Sequence, residues 1–214
     1  MELITIIVGG AALLVTAAVA AVVKKYKEVQ RLNEALNAFR RSLEVYSETY
    51  SLETPDKELI SKCQTTIQEL FHGDIENEFA KRETLDEKKA FAQEVIRELA
   101  NSMNVTLDEV VIENLGEYTY GTTDSEHGKA IWLNEMLLIA DPEKLIRTMC
   151  HELKHCVQIQ SLTNNTWGYS DVRIAQYLYS LKYYVQGDSY ESYEAYRKQI
   201  IEIDANKFAD EVFK

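Results

Sequence analysis

Apolar residues recur at helical spacing through most of this chain. The clearest stripe is Leu145, Ile146, Met149, Cys150, Leu153, Cys156 and Val157. Asp141 suits the N-cap of that helix and Pro142 its first position. Thr148, His151, Glu152, His155 and Gln158 lie beside the stripe, and Arg147 and Lys154 fall on the outer side. A buried stripe next to a polar edge is what a cleft-lining helix needs.

The same spacing predicts helices on either side. Val29, Leu32, Leu36, Phe39, Leu43, Tyr46 and Tyr50 step by three and four, a heptad seam over 29–50. It can pair with a second copy of the chain or lie on its own domain. Thr54 and Pro55 start a helix with Leu59, Ile60, Cys63, Ile67, Leu70 and Phe71 as its stripe, ended by Gly73. A polar stretch from Asp74 to Glu83 follows. Thr84 with Glu87 forms a capping box, opening a helix to about Met103 that buries Phe91, Val95 and Leu99. Three short β-type runs come next, at 109–112, 117–120 and 129–134, separated by Gly116, Gly121 and Gly128. In the third, Ile131 and Leu133 alternate with Trp132, as in a strand with one buried face. A Tyr-rich helix is expected over 171–185 and a last helix over 190–213, with Ile201, Ala205, Phe208 and Val212 buried.

Leu3 to Val23 carries no charge and is followed by Lys24, Lys25 and Lys27. That length just spans a bilayer, and the lysines place the rest of the chain on the cytoplasmic side. A cleaved secretory signal is the rival, but Met1-Glu2 lacks its positive leader. The expectation is a single-pass membrane protein with three regions: an anchor over 1–24, a helical region over 25–83 and a main domain over 84–214. The net charge of -12 argues against a nucleic-acid partner. Cys63, Cys150 and Cys156 form no disulfide pattern and read as small core residues of a reducing compartment.

The chemistry lies in His151-Glu152-Leu153-Lys154-His155, an H-E-x-x-H sequence. Residues i and i+4 share a helix face, so both imidazoles can reach one metal ion. Glu152 sits about 100° further round, where it can act as general base toward a water. Two histidines leave zinc under-coordinated, and a catalytic site needs a third protein ligand. On the last helix Glu202 and Asn206 share a face beside the buried stripe, and Asp204 points about 200° away from Glu202.

With Glu202-Ile203-Asp204-Ala205-Asn206-Lys207-Phe208-Ala209 added, the chain resembles the gluzincin metallopeptidases. The later element is similar to that of minimal gluzincin domains and of Ste24-type membrane endopeptidases. The resemblance covers about 129–212. It implies an α+β, mostly helical protein whose zincin-like domain, residues 84–214, lays a small mixed sheet over the motif helix. It implies one zinc ion held by His151, His155 and Glu202, with Glu152 as catalytic base. Asn206 would orient a zinc-binding histidine as a weaker substitute for the usual aspartate. The strand Ala130, Ile131, Trp132, Leu133, Asn134 would be the sheet edge to which a peptide or protein substrate adds. Tyr193 and Tyr196, shortly before Glu202, offer phenols for the oxyanion. The alternative is a metal-binding scaffold or a regulatory partner-recognition module, of phage, toxin or immunity type, on the same fold.

Overall fold

The computed structural model describes residues 25, 26, 30, 50–187 and 190–214. The chain divides into two compact units, 1–48 and 49–214, and the elements below belong to the second. Helix α1 is Thr54–Phe71, α2 Ile75–Ala80 and α3 Leu85–Ser102. Strands β1 (Glu109–Glu113), β2 (Gly121–Thr123) and β3 (Ala130–Asn134) follow. Then come α4 (Leu137–Ala140), α5 (Pro142–Thr163), α6 (Asp171–Lys182), α7 (Tyr190–Arg197) and α8 (Ile200–Val212). The fold is α+β, rich in helix, with one small mixed sheet among the described residues.

Local chemistry sets most of these boundaries. Thr84 and Glu87 form the expected capping box of α3. Asp141 accepts from Lys144 N–H and Pro142 opens α5. Helix α2 lies within the polar stretch 74–83, for which the sequence predicts no element. Asp74 caps it by accepting from Asn77 N–H, and its Phe79 packs on Phe71 and Phe91 with ring centroids 6.1 and 5.1 Å away. The last helix is broken at Lys198-Gln199, where the Gln199 backbone is extended (φ -68°, ψ 138°) and its side-chain amide clasps Val185. Its Oε1 accepts from Val185 N–H and its Nε2 donates to Val185 C=O, both at 2.9 Å. The break makes Glu202 a first-turn residue of α8, where the helix dipole favours a negative charge.

Helix α5 is the hub, packing against α8, α6, α4, α3, α2, β2 and β3. Its seven stripe residues are fully buried, and each such side chain stabilises the fold by about 1.5–3 kcal/mol. Helix α1 was expected in a separate N-terminal region. It belongs instead to this unit, because Leu59, Ile60, Cys63 and Phe71 enter the same core as α3 and α5.

The sheet order is β1-β3-β2, with β1 parallel and β2 antiparallel to β3. Ile131 and Leu133 are buried with Trp132 less so, as the alternation predicts. The expectation of an edge strand at 130–134 is corrected: β3 is hydrogen-bonded on both sides, and no added strand can pair with it. The edge is β2. It begins at Gly121, read from sequence as a separator, because a Cβ there would stand 2.8 Å from Thr148 Cγ2 and 3.0 Å from Glu152 Cγ. The glycine lets the strand lie directly on α5.

Among the described residues, no helix is long and apolar enough to cross a membrane. The expected membrane localisation is corrected on that finding. Helix α5, at 22 residues, has the length but carries Glu143, Lys144, Arg147, Glu152 and Lys154. The apolar segment 3–23 lies outside the described residues, as does the heptad over 29–50 apart from Gln30 and Tyr50. Tyr50, taken as the end of that seam, is buried within the second unit.

Candidate metal centre

His151 and His155, one turn apart on α5, point their rings together. Their Nε2 atoms are 3.0 Å apart. Glu202 enters from α8, with Oε2 3.5 Å from His151 Nε2 and Oε1 3.5 Å from His155 Nε2. One donor atom from each of the three residues lies within 4.8 Å of the others, the spread of ligands round a single ion. Glu202 is fully buried, and its Oε2 accepts no hydrogen bond. An unsatisfied buried carboxylate oxygen beside two imidazole nitrogens fits a cation bound between them. Two imidazoles and one carboxylate are also the donor set zinc favours at catalytic sites.

The electrostatics agree. Burial alone would raise the Glu202 carboxyl, but the neighbouring His155 and His151 outweigh it and hold the group well below the usual carboxylate range. Burial likewise opposes charge on His155, yet the Glu202 carboxylate pushes its imidazole up to about 9. Without metal, the cluster keeps a proton where a cation would sit.

Glu152 faces the same cavity, about 350 Å³ in volume, whose walls include Thr123, Ile159, Leu181, Tyr184, Tyr196 and Glu202. Thr123 Oγ1 donates to Glu152 Oε2 at 2.7 Å and fixes the carboxylate against β2. Tyr184 OH donates to Glu202 Oε1 at 2.9 Å. Tyr196 lines the cavity near it, whereas Tyr193 is 46% exposed and only stacks on Tyr196. Of the two phenols expected at the site, Tyr196 is there and Tyr193 is not. Burial, with the Glu202 charge behind it, raises the pKa of both Tyr184 and Tyr196, so each stays a protonated donor. Tyr184 follows α6 in an irregular segment, where no periodicity marks it.

Asn206 does not orient a ligand; it is exposed. The buried arc of α8 runs from Ile200 through Asp204, Ile201 and Ala205 to Glu202, about 200° wide, and Asn206 falls just beyond it. The residue behind His155 is Gln158, whose Oε1 is 2.7 Å from His155 Nδ1.

Behind Gln158 lies a polar core that was not expected. Lys154, read as an outer residue, is wholly buried. Its Nζ meets Asp56 Oδ1 at 2.6 Å, Asp204 Oδ2 at 3.0 Å, and the hydroxyls of Tyr169 and Tyr177 at 2.8 and 3.1 Å. Arg173, also buried, lies 3.6 Å from Asp204 and donates to Tyr50 OH. Two buried cations face two buried carboxylates, with the part-exposed Glu53 3.7 Å from Arg173 Nε at the rim, so the buried members carry no net charge, the condition under which buried ions are tolerated. Asp204 sits on the far side of α8 from Glu202, as the helical geometry requires, but that side is buried too.

Comparison with protein-family models, curated proteins and solved structures found no match for the chain.

Proposed function

We propose that this chain is a zinc-dependent peptidase of the gluzincin type, with a zincin-like catalytic unit. The observation that carries the proposal is the convergence of His151, His155 and Glu202 donor atoms within 4.8 Å, in a cavity that Glu152 also faces. A zinc ion held by these three residues would supply Lewis acidity at the cavity floor. Glu152 takes a proton from the attacking water as its oxygen bonds to the carbonyl carbon. It returns that proton to the amine as the C–N bond breaks. Thr123 holds the carboxylate in place for both transfers. Tyr196, which lines the same cavity, is the candidate donor to the oxyanion, while Tyr184 gives its hydrogen to Glu202.

The substrate strand belongs on β2 rather than β3. Tyr120 C=O accepts from Asn134 N–H and Asp124 N–H donates to Ala130 C=O. Antiparallel pairing alternates, so Gly121 and Thr123 turn their backbone groups to the open side. An extended peptide pairing there would bring its carbonyl over the cavity.

The test is metal analysis of the purified chain together with hydrolysis of an unstructured peptide pool. The expected result is one zinc per chain and cleavage that Glu152→Gln abolishes without loss of zinc. Wild-type protein that retains no zinc, or undiminished cleavage by Glu152→Gln, would refute the proposal.

A further inference from the structure

We infer that Gln158 is the positioning residue of the metal centre, anchored by Asp204, and that it fixes His155 in the tautomer whose Nε2 lone pair faces the cluster. The inference rests on the metal-site reading above but makes a claim that can be tested apart from it.

A carboxamide has two donors on its nitrogen and none on its oxygen. Gln158 Nε2 lies 3.0 Å from the Ile201 carbonyl and 2.8 Å from Asp204 Oδ2. Both are acceptors, so the nitrogen must face them. Turning the amide over would set its oxygen against a carbonyl and a carboxylate inside the protein, with no donor between them. The amide oxygen is thereby committed to His155. At 2.7 Å from Nδ1 it can only accept, so Nδ1 must carry the hydrogen. In the neutral ring Nε2 is then unprotonated, and it is this nitrogen that stands 3.0 Å from His151 Nε2 and 3.5 Å from Glu202 Oε1.

Asp204 can be relied on as an acceptor because everything else around it donates. Tyr177 OH gives it a hydrogen bond at 2.6 Å, Tyr50 OH another, and Lys154 Nζ stands 3.0 Å away. The two sides of α8 thus do complementary work. Glu202 reaches the cluster directly, and Asp204, about 200° round the helix, reaches the same histidine through Gln158. Orientation of this kind shapes metal affinity, and its loss typically costs 10–100-fold.

The experiment uses the full chain and two readouts. Long-range ¹H–¹⁵N correlation on the metal-free wild type, at a pH where the spectrum itself shows the His155 ring neutral, reads the tautomer without any substitution. The expected result is Nδ1–H; a His155 protonated on Nε2 overturns the inference whether or not the protein binds zinc. The second readout is zinc affinity by chelator competition in Gln158→Met, which keeps the volume and removes the amide. Affinity about 10–100-fold weaker, with the Nδ1–H preference lost, is expected. Unchanged affinity with an unchanged tautomer overturns the inference. Should Gln158→Met fail to fold, the wild-type spectrum decides alone. Wild type that shows Nδ1–H yet binds no zinc would refute the peptidase reading and leave the positioning geometry standing.

Discussion

Replacing Lys154 by methionine tests the polar core most directly. Lys154 has no exposed surface, and its two carboxylate partners, Asp56 and Asp204, have none either. The substitution keeps the length of the side chain and removes its charge. One cation, Arg173, is then left with two anions, and Asp56 loses its 2.6 Å contact. Removing one partner of a buried ion pair costs about 3–5 kcal/mol. In a unit of this size that lowers the melting temperature by roughly 10 °C, at about 2–4 °C per kcal/mol. The dependence on pH gives a second signature. In the wild type, burial would raise the Asp204 carboxyl, but Lys154 and Arg173 outweigh it and hold it low. Its stabilisation is therefore present above the unfolded value of about 3.9 and is lost as pH falls through the lower folded value. In Lys154→Met the balance at Asp204 tips toward burial, and its carboxyl rises. Stability is then lost as pH rises through the raised value, so the deficit should be largest near neutrality and shrink as the solution is acidified. Urea unfolding of wild type and variant across a pH series measures it. A deficit below about 1 kcal/mol, typical of exposed pairs, or one independent of pH, would refute the reasoning.

The remaining expectations concern the metal centre. Glu202→Ala should lose zinc, whereas Asn206→Ala, at an exposed position, should keep it; metal analysis of both separates the two carriers. Gly121→Ala would drive a Cβ to 2.8 Å from Thr148 Cγ2 and 3.0 Å from Glu152 Cγ. It should cost about 1–3 kcal/mol of stability and slow peptide hydrolysis while zinc stays bound. A zinc ion bound here would compete with the proton on His155, whose pKa the Glu202 carboxylate pushes up to about 9. Affinity should therefore climb with pH and level off above that value, as competition titrations would show. Zinc at a hundred times its Kd should stabilise the fold by about 2.7 kcal/mol, read as a rise in melting temperature.

The parts of this site that were legible in sequence are those set by local geometry. His151, Glu152 and His155 lie within one turn, and the helical period alone brings the histidines together. Glu202 was legible through its place beside a buried stripe and its likeness to a known element. Lys154 was not, because it lies only about 40° beyond the edge of the α5 stripe and its partner Asp56 is 98 residues away. A buried charge looks like a surface charge until its partner is found. Gly121 was misread for a related reason: turn and close packing both call for glycine, and only the position of Thr148 and Glu152 distinguishes them. Asn206 is suggested by a pattern on α8, while the side chain that meets His155 Nδ1 is Gln158, three residues further along α5.

Tyr50 gives the polar core an edge that matters for any dissection of this chain. It stands just inside the boundary between the two units and is 5% exposed. Its hydroxyl donates to Asp204 and accepts from Arg173, and its carbonyl accepts from Lys207 Nζ. Cutting at Thr54, where the first helix begins, would look clean on a map of secondary structure. It would also remove a hydroxyl donor from the aspartate that holds Gln158, and Gln158 holds His155. The fragment that can stand for the second unit therefore has to begin upstream of Tyr50. The short segment from Tyr50 to Glu53 supports the candidate metal centre as much as the helix that carries the histidines does.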